Sequence, residues 1–246
     1  MLEVELRSGV TIVELRHGKV NALDLELLRA VTAAMRGIDG DGPVVITGAG
    51  PAFCAGVDLQ RIVDGGPSYV REFLPALTEA FRAVFDYPGP VVAAVNGHAI
   101  AGGCVLAAAC DVRLMSGGSI GLAELSVGVP FPVTAMEILR HAYGPAAGRL
   151  VLMAELFDAT RAQSLGLVDD ACPPDGLLES ALHWAQRMAR TPADVFAFSK
   201  RQLQQPARDQ LAARAEDDAV VAALWSSERT REAIAGYLQA LKSRPR

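Results

Sequence analysis

Short apolar strands that alternate with helices constrain the fold of this chain more than any other feature. The runs at residues 44–46, Val91–Val95 and Val112–Met115 are strand-like, and a helical segment separates each from the next. This alternation indicates an α/β architecture. With 246 residues, the chain is long enough to bury one substantial core. We therefore predict one α/β domain with a C-terminal appendage.

The remaining segments follow from their periodicity. Two alternating segments, Leu2–Arg7 and Val10–Leu15, predict a hairpin. After Pro132 the pattern is almost entirely helical, and its Ala-rich end is typical of a packing or oligomerisation lobe. We divide the chain into a core at 1–190 and a helical region at 191–246, with a mobile stretch at 64–68. The predicted helices are 24–35, 69–85, 102–109, 207–225 and 228–241, with a further strand at 167–168.

Charge and composition exclude several classes of function. The net charge of -5 and the pI near 5.4 argue against nucleic acid as a partner. The N-terminus lacks the pattern of a secretory signal, and no apolar run is long enough to span a membrane without interruption. We expect a cytoplasmic protein that acts on a small substrate.

The four cysteines give no sign of a metal site. Cys54, Cys104, Cys110 and Cys172 form no Cys-x-x-Cys pair, and no histidine lies nearby at ligand spacing. We expect neither a bound metal nor a disulfide, and no separate cofactor.

Two motifs suggest other enzyme classes. The segment 48–53 (GAGPAF) resembles a dinucleotide fingerprint, but Phe53 replaces the third glycine and Pro51 removes an N–H group from the turn. Gly117-Gly118-Ser119-Ile120-Gly121 has the form of a nucleophile elbow. The glycines and prolines after it break up the helix that an elbow requires. An α/β-hydrolase is therefore the weaker alternative.

A stronger candidate site combines three segments: 53–59, 96–104 and 120–125. Gly102 and Gly103 open a helix after a strand, so their N–H groups are available to stabilise a developing oxyanion. A second donor would come from the loop at Gly56 and Val57. Close helix packing through small residues is the alternative explanation, and the spacing alone favours it.

Glu124 is the acid of this candidate site. It lies between apolar neighbours, where desolvation would raise the pKa of its carboxyl group toward the range of a general base. Taken alone, this pattern favours a surface acid in an irregular segment as the explanation of Glu124.

Several motifs in a fixed order resemble the crotonase superfamily, the enoyl-CoA hydratases and isomerases. The resemblance runs from about Thr11 to Asp170. It rests on GKVNALD (18–24), AFCAGVDL (52–59), GPVVAAVNGHAIAGGCVLAAACDVRLM (89–115), IGLAELSVGVP (120–130) and ATRAQSLGLVDD (159–170).

The resemblance implies a fold, a ligand and an assembly. The fold is a spiral of β-β-α repeats with a helical C-terminal region that forms trimers, often paired into hexamers. Acyl-CoA is then the substrate, with the Val57 and Gly102 N–H groups holding the thioester oxygen. The other substrate-binding and CoA-binding positions that it implies are Ala55, Gly56, Asp58, Gly103, Phe131 and Lys200, the last against a phosphate.

One departure from the family pattern concerns the reaction. Hydratases of this type use two glutamates, but Val105 stands at the first position and only the second remains, as Glu124. Hydration needs both water activation and protonation of carbon, whereas moving a double bond needs one proton shuttle. Phe131 would make the wall of the site bulkier and would exclude water, which favours retention of the proton. The sequence favours a 3,2-enoyl-CoA isomerase with Phe131, Met136 and Leu139 near the acyl tail. A one-glutamate hydratase and a non-catalytic acyl-CoA binder stay open as alternatives.

Overall fold

A six-stranded sheet forms the base of the fold in the computed structural model, which describes residues 1–243. Its order is β1-β2-β3-β5-β7-β10. Only the β1–β2 hairpin is antiparallel, and each of the other neighbours pairs in parallel. The strands are β1 (Leu2–Arg7), β2 (Val10–Leu15), β3 (Val44–Gly48), β5 (Val91–Val95), β7 (Val112–Met115) and β10 (Asp170–Ala171).

A smaller sheet of very short strands lies beside the first. Its order is β4-β6-β8-β9, and only the last pair is antiparallel. The strands are β4 (Ala52–Cys54), β6 (His98–Ile100), β8 (Ile120–Gly121) and β9 (Leu156–Phe157). The sequence did not predict these strands, because two or three residues are too few to show a period.

A repeated unit connects the two sheets. Three times, one strand joins the large sheet, the next joins the small sheet, and a helix follows. The units are β3-β4-α2 (α2 is Leu59–Phe85), β5-β6-α3 (α3 is Gly102–Ala108) and β7-β8-α4 (α4 is Glu124–Val127). The predicted spiral of β-β-α repeats is confirmed.

Asn96 ties neighbouring turns of this spiral together. Its side-chain oxygen accepts a hydrogen bond from the Gly48 amide at 3.1 Å, and its amide group donates to the Gly50 carbonyl at 3.0 Å. These bonds fix the crossing from β5 to β6 against the crossing from β3 to β4. Consequently, the loops that follow β4 and β6 are held side by side.

The other helices surround the sheets and form the C-terminal region. Asp24 caps α1 by accepting a hydrogen bond from the Leu27 amide. These helices are α1 (Leu25–Gly37), α5 (Val133–Tyr143), α6 (Ala146–Met153), α7 (Ala159–Ser164), α8 (Leu177–Met188), α9 (Ala193–Ala213), α10 (Asp217–Trp225) and α11 (Glu228–Ser243).

Three predicted elements are wrong. The stretch at 64–68 belongs to α2, which continues across a break where Gly66 has φ 57° and ψ -152°. The predicted helix at 207–225 is two helices, α9 and α10, because the chain turns between them. The strand predicted at 167–168 lies instead at Asp170–Ala171.

The last helix returns to the core. Helix α11 packs against α2 and α4, and Ile234 on its inner face is fully buried. None of the helices within residues 1–243 combines the length and the apolar character needed to cross a membrane.

Candidate active site

A largely apolar cavity lies where the three repeated units meet the C-terminal helices. Its volume is about 550 Å³. Its walls come from the loop after β4, the start of α3, the segment from Ala123 to Ala135, helix α2 and helix α11. The residues that line it and were also predicted for the site are Ala55, Val57, Asp58, Gly102, Glu124 and Phe131.

The loop after β4 contacts the start of α3 through Gly56. This glycine has φ 88°, and a Cβ atom there would lie 2.7 Å from the Ile100 carbonyl oxygen and 3.4 Å from the Gly102 amide nitrogen. Any side chain would therefore push the loop away from α3. The close approach brings Val57 and Gly102 to the same cavity.

The backbone around Val57 leaves one amide without a partner. Leu23 and the loop pair on both sides of Val57: the Leu23 amide donates to the Gly56 carbonyl at 2.7 Å, and the Asp58 amide donates to the Leu23 carbonyl at 2.9 Å. Neither the Val57 nor the Gly102 N–H group donates to a protein acceptor within residues 1–243. Two such amides beside one cavity are suited to holding a carbonyl oxygen.

Ala101 sets the start of α3. It has φ 54° and ψ -123°, a conformation that non-glycine residues rarely adopt, and its amide donates to the Gly121 carbonyl at 2.8 Å. The turn places Gly102 as the first residue of α3, where helix N–H groups have no acceptor within the helix. Strain of this kind is common at functional sites.

Gly103 has a different role from the one predicted. A Cβ atom at Gly103 would lie 1.9 Å from the Cys54 carbonyl oxygen, and Gly103 does not line the cavity. This glycine is required for packing of α3 against β4. The paired glycines thus combine both explanations offered by the sequence, with Gly102 at the cavity and Gly103 in the packing contact.

Glu124 is the first residue of α4, and its side chain lines the cavity. Burial raises the pKa of the Glu124 carboxyl group from 4.5 to about 7, although hydrogen bonds from its own amide and the Ala123 amide act in the opposite direction. The Ala123 amide lies 3.0 Å from the carboxylate oxygen Oε2. A carboxyl group with this pKa exchanges protons readily near neutral pH.

Val105 occupies the neighbouring part of the wall. It lies on α3 one turn after Ala101, is 1% exposed, and lines the cavity. Its isopropyl group can neither hold nor move a proton. The site therefore lacks the second carboxylate at the position where the family pattern has one.

Asp58 is the other carboxylate of the cavity wall. Its side chain caps α2 by accepting hydrogen bonds from the Gln60 and Arg61 amides. These bonds satisfy the first turn of the helix and fix the loop that carries Val57. Asp58 therefore holds the loop in place, which leaves Glu124 as the carboxylate suited to proton transfer.

Lys200 lies away from this cavity, and the predicted phosphate contact must be corrected. Its side chain is 7% exposed. The ammonium group is 2.8 Å from the Asp111 carboxylate and 3.0 Å from the Gly89 carbonyl oxygen. Lys200 thus anchors α9 to the core, because a buried ammonium group needs such partners.

Of the three residues predicted near the acyl tail, only one lines this cavity. Phe131 lines the cavity, but Met136 and Leu139 of α5 do not. Sequence reasoning missed most of this wall, since its residues belong to helices far apart in the chain. The missed residues include Leu77, Phe81, Val127, Val129, Ala135, Trp225, Tyr237, Leu238 and Leu241. Their apolar spacing on α2 and α11 could identify a buried face but not a cavity.

Comparison with known proteins agrees with the fold. A family model described as enoyl-CoA hydratase/isomerase matches residues 5–244. The 2,3-dehydroadipyl-CoA hydratase of Escherichia coli is 32% identical, over 91% of this chain and 88% of that protein. The mitochondrial enoyl-CoA delta isomerase 1 of Mus musculus is 27% identical, over 99% and 88%. The crystal structure of the human mitochondrial delta3-delta2-enoyl-CoA isomerase superposes with a TM-score of 0.90, at 26% identity and 98% coverage of both chains.

Proposed function

The chain belongs to the enoyl-CoA hydratase/isomerase family, and on that premise we propose that it isomerises 3-enoyl-CoA thioesters to 2-enoyl-CoA. The observation that carries the proposal is the pairing of Glu124 with Val105 in one cavity wall. One carboxylate with a raised pKa stands where the family pattern has two. A single base is sufficient for a 1,3-proton shift.

The proposed reaction has two proton transfers. The Glu124 carboxylate removes a proton from C2, and the electron pair of that C–H bond moves toward the thioester carbonyl to give a dienolate. The Val57 and Gly102 N–H groups stabilise the oxygen that becomes negative. Protonated Glu124 then returns the proton to C4 as the C2–C3 double bond forms. The sum is a change of double-bond position with no net gain or loss of atoms.

The apolar walls of the cavity favour a reaction in which Glu124 keeps the proton that it carries from C2 to C4. Phe131, Val105 and Trp225 are buried apolar side chains around the space that Glu124 faces. Excluding bulk water protects the dienolate and prevents the carried proton from exchanging during the reaction. An apolar wall also keeps the pKa of Glu124 high enough for it to serve as both base and acid.

A substrate panel with a variant tests the proposal. The wild type should convert 3-enoyl thioesters to 2-enoyl products, as measured by product mass and double-bond position. Glu124→Gln should reduce kcat by about 1,000-fold or more while binding an acyl-CoA product with similar affinity. Full activity of Glu124→Gln would contradict the proposed mechanism.

Hydration is the second candidate, and the names of relatives favour it. The Escherichia coli relative, named as a hydratase, is 32% identical, compared with 27% for the mouse isomerase. Incubation with crotonyl-CoA separates the two functions, because only a hydratase forms a 3-hydroxyacyl product. Tight acyl-CoA binding without turnover of any enoyl isomer would instead indicate a binding protein.

We also propose that the protein assembles as a trimer or a dimer of trimers. Support comes from exposed apolar side chains on α9, where Val195, Phe198 and Leu203 are 50%, 53% and 72% exposed. Burial of such side chains between subunits would be favourable. Sedimentation should give a mass of three or six chains, and a monomer at micromolar concentration would contradict the proposal.

A further inference from the structure

Glu124 lies on an element that cannot fix its position alone. Helix α4 is a single turn of four residues, and only Val127 within it is buried. No side chain caps its first turn. If Glu124 is the proton shuttle proposed above, contacts outside α4 must hold it in place. The segment that follows α4 makes those contacts.

Three hydrogen bonds hold the segment after α4, two of them with residues from elsewhere in the chain. The Val129 amide donates to the Glu124 carbonyl at 3.0 Å, which joins the segment to the catalytic turn. The Trp225 indole N–H group donates to the Pro130 carbonyl at 2.9 Å. The Val133 amide donates to the Asp218 carboxylate at 2.9 Å. Both outside partners belong to α10.

The two partners share one face of α10. Asp218, Val221 and Trp225 are spaced i, i+3 and i+7, so they lie along one side, and Asp218 and Trp225 are about 10 Å apart along the helix axis. Val221 and Trp225 are buried, and the Trp225 ring lies 6.3 Å from the Phe73 ring of α2. Helix α10 is thus attached to the core on the side that holds the segment.

The segment needs these partners because of its two prolines. Pro132 precedes α5 and provides no side-chain cap, so the first amides of α5 require an acceptor from elsewhere. The Asp218 carboxylate supplies one, and its negative charge is favourable at a helix N-terminus. The Pro130 carbonyl lies in an irregular stretch, and the indole N–H group satisfies it.

We propose that Asp218 and Trp225 are positioning residues that hold the Glu124 turn against the cavity through the 129–133 segment. They act as a clamp from α10 (the α10 clamp). Asp218 is not part of the cavity wall, so it acts only through the segment. Trp225 also lines the cavity. Loss of the clamp lets the Glu124 turn move and admits water to its carboxyl group.

Three variants of one helical turn test the clamp. Asp218→Ala should lower kcat by about tenfold to a hundredfold with a smaller change in KM, because small displacements of a catalytic group are costly. Asp218→Asn keeps an acceptor oxygen and should restore most of the activity. Asp217→Ala is the matched control, since Asp217 is an exposed neighbour on the same turn.

A second readout does not depend on turnover. Carbon-13 labelling of glutamate carboxyl groups, with Glu124→Gln to assign the signal, gives the titration midpoint of Glu124 directly. We expect the midpoint in Asp218→Ala to fall from about 7 toward the ordinary value of 4.5. Asp218→Asn and Asp217→Ala should leave it unchanged.

The outcomes separate the clamp from the proposed function. A folded Asp218→Ala variant with wild-type kcat and an unshifted Glu124 midpoint would overturn the clamp. Failure of Asp218→Asn to restore either property would also overturn it, since the hydrogen bond would not be the cause. If the wild type moves no double bond, the proposed function fails, and the Glu124 midpoint alone decides the clamp.

Discussion

Glu124, the base in the proposed reaction, gives a prediction for how the activity depends on pH. Burial raises the pKa of its carboxyl group to about 7, and the base must be ionised to remove a proton from C2. We predict that kcat/KM rises about tenfold per pH unit below the midpoint near 7 and is constant above it. Rates with one 3-enoyl thioester between pH 5 and 9 measure this. A profile that is flat down to pH 5 would show that the base has an ordinary pKa.

Burial of the ionised Glu124 carboxylate also lowers the free energy of unfolding. The pKa of its carboxyl group is raised in the folded protein, so folding favours the protonated form. The stabilisation that comes from protonated Glu124 is fully present below pH 4.5 and is lost as the pH rises through 7. We predict that Glu124→Gln, which stays neutral, raises the free energy of unfolding by about 1–3 kcal/mol at pH 8. At pH 4.5 the two proteins should be alike.

Urea denaturation at both pH values tests this difference. The Gln side chain keeps an oxygen that can accept the Ala123 amide, so the substitution should not break that hydrogen bond. A Glu124→Gln variant that is equally stable or less stable at pH 8 would show that the carboxylate is well solvated in the folded protein.

Gly56 provides a residue-scale test of the oxyanion site. A Cβ atom there would lie 2.7 Å from the Ile100 carbonyl oxygen, and its φ of 88° is unfavourable for alanine. We predict that Gly56→Ala lowers kcat/KM by about tenfold or more, because the Val57 amide moves away from Gly102. It should also cost about 1–3 kcal/mol of stability.

Gly37→Ala is the control for this substitution. Gly37 ends α1, and a Cβ atom there meets nothing within 4 Å. Stability and activity should be close to wild type. Wild-type kcat/KM in Gly56→Ala would mean that the loop position does not matter for the reaction.

The sequence placed the three proposed reacting groups in one cavity more reliably than it placed the residues around them. Glu124, Val57 and Gly102 could be placed by ordered motifs, and all three line one cavity. Gly103 and Lys200 could not be assigned in that way, because packing against Cys54 and pairing with Asp111 are contacts between distant parts of the chain. A motif gives the residue type at a position but not the direction of its side chain.

Helix α9 illustrates how a polar contact attaches an element. The Lys200 ammonium group pairs with Asp111, which also accepts a hydrogen bond from the Val91 amide at 2.8 Å. Lys200→Ala would leave a largely buried carboxylate without its cation. We predict a loss of about 2–4 kcal/mol in the free energy of unfolding and an unchanged KM for acyl-CoA.

Arg201→Ala is the matched control for α9. Arg201 is the next residue, is exposed, and lies over the Phe198 ring 5.7 Å from its centroid. Its removal should change stability by less than about 1 kcal/mol. A large rise in the KM of Lys200→Ala, beyond that of Arg201→Ala, would show that Lys200 contributes to acyl-CoA binding.

Long elements with a clear period could be predicted, and interrupted ones could not. The hairpin of β1 and β2 and the helix α1 agree with their alternation and their apolar stripe. Helix α2 was predicted to begin ten residues too late, since Gly65, Gly66 and Pro67 have the composition of a loop. In the fold, the positive φ of Gly66 permits a kink, and the helix continues on both sides.

At the cavity, the predicted division into a core at 1–190 and a helical region at 191–246 does not separate two parts of the molecule, because residues of both ranges form the wall. The cavity is bounded by the spiral core on one side and by Trp225, Tyr237, Leu238 and Leu241 on the other. The hydrophobic core likewise includes Ile234 of α11. The C-terminal region therefore completes the cavity of its own chain, so its side chains can limit the length of the acyl group.

Leu238 tests whether the C-terminal helix limits the acyl chain. It lies on α11, packs against the core and lines the cavity. We predict that Leu238→Trp lowers kcat/KM for long 3-enoyl thioesters by about tenfold or more and leaves short ones within about threefold, because added bulk excludes only the chains that reach α11. Leu224→Trp is the control, since Leu224 is 47% exposed on α10 and lies outside the cavity wall. An equal loss for every chain length would mean that the substitution disturbs the reacting centre, and no loss for any length would place the acyl tail elsewhere.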